Sequence, residues 1–124
     1  MREKLDVGDY MTSHDAKISV DRKQNLAEVC KNLCQGYRRF TAECQRAKDA
    51  GIHLVVLVEH SGRIKKIEDV AAWTNPRLKK SPYAVSGVRL QYIMMRVAIE
   101  YGVEWQFCEK RNTGKKIIEI LSRE

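Results

Sequence analysis

With 124 residues the chain has room for one hydrophobic core and not for several, so a single domain spanning 1-124 is expected. Its 44% hydrophobic and 31% charged content excludes a disordered chain. A net charge of +7 and a pI near 9.4 favour an anionic partner, nucleic acid being the commonest. No apolar run approaches the ~20 residues of a membrane helix, and no signal-peptide pattern precedes the first strand, so a cytoplasmic protein is expected, with no membrane partner.

Leu5, Val7 and then Ile18, Val20 alternate with polar residues, the period-2 pattern of half-buried strands. Ser13-His14-Asp15-Ala16 between them reads as a turn, because Ser and Asp side chains satisfy local backbone donors. Folding about His14-Asp15 sets Asp9 opposite Val20 or Asp21 and brings both carboxylates to one hairpin. Lys23, two residues beyond Asp21, projects from the same face. Two acids and a lysine at one strand edge are what metal-dependent phosphodiester hydrolysis requires. Asp9 and Asp21 would hold a hard cation, Mg2+ or Mn2+, through oxygen. Lys23 would neutralise the phosphate or orient the attacking water, and the Arg22 carbonyl would complete the site.

Asn25 is a helix N-cap candidate, followed by Leu26, Val29, Cys30, Leu33 and Cys34 at helical spacing, with Gly36 ending the helix. A second helix runs from about Arg38 to Ala50 with Phe40, Cys44 and Ala47 inward, and stops at Gly51. Arg38 and Arg39, on its other faces, are candidate phosphate contacts near the active edge, together with Arg22. Ile52 to Val58 is almost continuously apolar, as in a strand covered on both sides, and Glu59 closes it. Cys30, Cys34, Cys44 and Cys108 form no C-x-x-C and have no histidine spaced as a partner. They are expected to be reduced core thiols.

Ile67 to Trp73 suggests a short helix, and Asn75-Pro76 and Ser81-Pro82 punctuate a basic loop. Trp73 and Tyr83 stand among lysines. Trp73 is assigned to anchoring the loop on the core, while stacking of the two rings on unpaired bases is the competing role. Ser86 caps a helix carrying Leu90, Ile93, Met94, Val97 and Tyr101 on one face, ended by Gly102. Val103, Trp105 and Phe107 then alternate with polar residues as a strand. A last helix begins at Asn112 or Thr113, with Ile117, Ile120 and Leu121 inward. Lys115 and Lys116 in its first turn oppose the helix dipole, which makes Thr113 to Lys116 a candidate phosphate contact, the competing reading being a tolerated surface pair. The elements add up to an α/β fold: a mixed β-sheet opened by an antiparallel hairpin and flanked by helices.

Gly8-Asp9-Tyr10 followed by Asp21-Arg22-Lys23 resembles the G-D-Y…E-R-K-x-x-x-D signature of XPF-type structure-specific endonucleases, within the restriction-endonuclease-like PD-(D/E)xK superfamily. The similarity continues through Arg39-Phe40-x-x-Glu43, Arg46-Ala47 and Leu54 to Glu59, covering about half the chain in the expected order. The resemblance implies a restriction-endonuclease-like nuclease core, similar to short phage and bacterial members, acting on branched or flapped DNA with magnesium. It also makes Glu59 a candidate metal-site acid, and implies a homodimer or a partner protein. Three departures stand out. Asp21 replaces the usual Glu, Ala27 stands at the final acid, and the family's upstream acidic strand is not found, since Arg2-Glu3 lies too close to Gly8-Asp9. These departures keep two alternatives open: a catalytically silent DNA-binding or dimerisation module, or a nuclease shortened by its first strand.

Overall fold

The structure, a computed structural model, describes residues 8–12, 16–60 and 62–123. In chain order it contains β1 (Ile18–Lys23), α1 (Leu26–Cys34), α2 (Tyr37–Asp49), β2 (His53–Glu59), α3 (Gly87–Tyr101), β3 (Glu104–Cys108) and α4 (Thr113–Leu121). Short 3-10 helices at Ile67–Ala72, Pro76–Lys79 and Lys110–Asn112 connect them.

The three strands lie in the order β1-β2-β3, both pairs parallel, with Lys23 opposite Val58 and Val58 opposite Phe107. Parallel neighbours need crossovers, which α1 with α2 and then α3 supply. The antiparallel component of the mixed sheet is a bridge between Tyr10 and Val20 on the outer edge of β1. The rest of the expected hairpin, Leu5 to Val7 and the turn residues Ser13 to Asp15, lies outside the described residues.

Alternation along the strands separates two cores. Leu54, Val56 and Val58 pack with α1, α2 and α3. Ile18, Val20, Val55 and Leu57 pack with Ile117 and Ile120 of α4. β2, in the middle, is buried on both faces, as its unbroken apolar run requires. The helix starts follow from local chemistry: Asn25 accepts the Glu28 N–H at 2.8 Å and Ser86 accepts the Arg89 N–H at 3.2 Å. Gly102, in the left-handed region at φ 71°, ends α3.

Two local expectations are corrected. Gly36 does not end α1 as a left-handed residue; it has φ −112° and caps α2, its carbonyl accepting the Phe40 N–H. Cys34 is exposed rather than part of the core, whereas Cys30 and Cys44 are buried. Trp73 packs against the core, as assigned. Among the described residues no helix is long and apolar enough to cross a membrane.

Candidate active site

The site is assembled at the outer edge of β1. Asp21 lies on the face of β1 covered by α1 and α2 and is only 5% exposed. Asp9 arrives on the segment that bridges to Val20, where its own N–H donates to the Val20 carbonyl at 2.7 Å. Its Oδ2 accepts the Arg22 N–H at 2.9 Å. The N–H and C=O of one strand residue point to the same side, so the Arg22 carbonyl faces this edge too. Asp21 is pushed up to about 7 by burial, with Lys23 opposing the rise and the nearby Glu43 and Asp9 carboxyls adding to it.

Lys23 places its Nζ 3.3 Å from Asp21 Oδ2 and 5.7 Å from the centre of the Phe40 ring. Phe40 in turn stacks on Trp105 with centroids 6.0 Å apart, so the lysine rests on a fixed aromatic surface. Oδ2 of Asp21 is buried and has no hydrogen-bond partner among the described residues.

A third acid, which spacing did not single out, completes the group. Glu43 of α2 accepts the Gly8 N–H at 3.1 Å and stands close enough to Asp21 to raise its pKa. Gly8 has φ +69°, and a Cβ there would lie 2.2 Å from Ser19 Oγ. Only glycine can pass so close to β1 in that conformation. The motif glycine therefore lets the Asp9 segment reach the strand, and Glu43 ties it down.

Arg38 and Arg39 share a groove of about 830 Å3 with Lys23, Arg46 and Glu43. Those two predicted phosphate contacts thus stand beside the acid pair. The other predicted residues do not. Glu59 sits at the odd position relative to Asp21 and projects from the opposite face. There it binds Arg22 at 3.0 Å and accepts a hydrogen bond from Thr113, and the Arg22 contact holds its carboxyl below the usual range. Glu59 is therefore not part of the Asp9–Asp21 group, correcting its expected place. The Arg22 side chain is committed to that ion pair. Lys115 and Lys116 belong to α4, which covers the same opposite face, and Lys116 stands 3.8 Å from Glu119.

Among the described residues no group of three or more His, Cys, Asp or Glu side chains is placed to hold a metal ion. The Asp9–Asp21 pair still fits a hard cation. It is an oxygen-only donor set, Asp21 buried and Asp9 half-buried, with one Asp21 oxygen that accepts no hydrogen bond among the described residues, and magnesium commonly takes one or two carboxylates with water and phosphate in the other positions.

Among solved structures, the chain superposes on XPF from Aeropyrum pernix with a TM-score of 0.65 at 21% identity. The fold is that of an XPF-type domain. The match covers 98% of this chain and 50% of the other, so the chain spans half the length of that XPF. No protein-family model and no curated protein sequence matches it.

Proposed function

We propose that this XPF-type domain is a metal-dependent DNA endonuclease that hydrolyses phosphodiester bonds, with branched or flapped DNA as its substrate class. The observation that carries this reading is the buried Asp21 carboxyl beside Asp9, with Lys23 3.3 Å from its Oδ2 at the mouth of a groove lined by Arg38, Arg39 and Arg46.

When bound, Mg2+ or Mn2+ supplies positive charge at the scissile phosphate and makes the attacking hydroxide easier to form. Asp9 and Asp21 would hold the ion, with the Arg22 carbonyl as a further oxygen donor. Lys23 offsets the charge that develops on the phosphate oxygens, its amine kept in place by Asp21 and the Phe40 ring. Arg38 and Arg39 grip neighbouring phosphates along the groove, which gives affinity with little sequence preference. Two buried thiols, Cys30 and Cys44, are pushed by burial up to about 11 and about 12, and so remain protonated.

Val88, Tyr92, Met95 and Ile99 form an exposed apolar stripe along α3, a surface for the expected second copy or partner protein. Sedimentation at micromolar concentration tests self-association.

The decisive experiment incubates the full chain with flapped and linear DNA, with Mg2+, with Mn2+ and with neither. Cleavage that requires either ion supports the endonuclease. Binding without cleavage under every condition leaves the silent DNA-binding module as the function.

A further inference from the structure

The groove beside Lys23 continues past the acid pair. Lys31, on the outer side of α1, and Gln35, its C-cap, line both that groove and a second hollow of about 500 Å3. The far wall of the hollow is Arg77 and the loop Ser81 to Val85, and its lining contains no acidic residue. Among the described residues, Lys31 and Arg77 enter no ion pair with a carboxylate. Lys79 and Lys80 are exposed beside Arg77 on the same connection.

Tyr83 stands at this rim and is 93% exposed, the most open of the large apolar side chains among the described residues. Its loop is nevertheless well tethered. Asn75, only 3% exposed, donates from Nδ2 to the Val85 carbonyl at 2.9 Å and accepts the Arg77 N–H at 3.0 Å. One buried side chain thus fixes both ends of the segment. Within it, Ser81 Oγ accepts the Tyr83 N–H at 3.3 Å. The ring is held out on a fixed support rather than left on a loose end.

We propose that this hollow binds unpaired nucleotides: a single-stranded DNA arm leaves the catalytic groove, crosses Lys31 and Gln35, and stacks a base on Tyr83. This rests on the DNA-nuclease reading of the groove and adds the subsite that would select substrates with an unpaired arm. The chemistry argues for a single strand over a duplex. Cations that track a backbone suit both, but an exposed aromatic face is rewarded only by a base whose own face is free. A small phosphate ligand would leave Tyr83 without a role.

The test is fluorescence anisotropy in EDTA, where cleavage is blocked. It uses a blunt duplex, the same duplex with a single-stranded arm, and that duplex with an abasic arm. The wild-type chain is expected to bind the armed duplex about tenfold more tightly than the blunt one, the scale of one stacked base. Tyr83→Ala should abolish that preference and leave blunt-duplex affinity unchanged. Tyr83→Phe should retain it, and the abasic arm should mimic Tyr83→Ala on the wild-type chain. Arg77→Ala should weaken the armed duplex more than the blunt one. Equal weakening of both ligands by Tyr83→Ala, or no arm preference in the wild type, overturns the proposal while leaving the nuclease reading intact. Failure to bind any of the three DNAs overturns both.

Discussion

The Lys23 amine stands 3.3 Å from Oδ2 of Asp21, yet among the described residues that buried oxygen accepts no hydrogen bond. The contact is a charge facing a charge without the directed N–H···O bond that would satisfy the carboxylate. Burial, Glu43 and Asp9 push Asp21 up to about 7 in spite of Lys23. Burial, more than any neighbouring charge, disfavours the ionised Asp21 carboxylate, and a divalent cation held there would offset that cost.

This cost predicts how stability depends on pH. The folded carboxyl of Asp21 titrates near 7, above its ordinary value of 3.8. The native state holds a proton that the unfolded chain gives up more readily. The resulting stabilisation is complete below the unfolded value and is lost as pH rises through about 7. Asp21→Asn cannot ionise, so its thermal midpoint should stay level where the wild type falls, and exceed the wild type in EDTA at mildly alkaline pH. Mn2+ should raise the wild-type midpoint and leave Asp21→Asn unmoved. A wild type as insensitive to pH and Mn2+ as the variant would contradict this account.

Activity should separate the acids from the lysine. Asp9→Asn or Asp21→Asn should abolish cleavage by removing the ligands that hold the ion. Lys23→Ala should keep Mn2+ binding while the cleavage rate falls by ~10²–10³, the usual effect of losing one electrostatic contact to the transition state. Single-turnover rates read beside calorimetric titration distinguish the two patterns.

Much of the site was legible in short-range spacing, and the misplacements trace to register and to backbone angles that spacing does not carry. Asp21 and Lys23 share a face because strand side chains alternate, which needs no tertiary knowledge. Asn25, Ser86 and Gly102 announced their helix ends through cap chemistry. Glu59 was misplaced because its face depends on the register of β2 against β1. With Lys23 opposite Val58, Glu59 falls in step with Arg22 instead. Register is a property of the sheet, not of one strand. Glu43 drew notice only as part of a resemblance, since its bond to Gly8 joins residues 35 apart in the chain. Gly36 could have closed one helix or opened the next, and only its backbone angles decide.

Away from the site, Glu104 should govern acid stability. At the start of β3 it accepts from His53 Nε2 and Arg123, each at 2.9 Å, and from Gln106. Burial alone would raise its carboxyl, but these partners together pull it down to about 2. A depressed folded value means stability present above the ordinary carboxylate value of 4.5 and lost as pH falls towards 2. Glu104→Gln should lower the denaturant midpoint near neutrality and differ progressively less from wild type as the solution is acidified. A constant gap across the acid limb would show that the partners do not act through charge.

Glu43 is the residue whose replacement tests the architecture of the site. Its carboxylate holds the Gly8 N–H at 3.1 Å, and Gly8 directly precedes Asp9. The left-handed Gly8 presses against Ser19, so the segment has little freedom except to lift away from β1. Removing the acceptor with Glu43→Ala should loosen Asp9 relative to Asp21. Mn2+ affinity should then fall ~10–100-fold, the range seen when a residue supporting a metal ligand is lost. Glu43→Gln keeps an oxygen acceptor for Gly8 and should recover most of that affinity, short of the share owed to the lost charge near Asp21. Calorimetric titration with Mn2+, alongside thermal midpoints in EDTA, separates this from general destabilisation. Equal Mn2+ affinities in wild type and Glu43→Ala would mean that Asp9 holds its position without the clamp, and that Glu43 belongs to the groove wall rather than to the site.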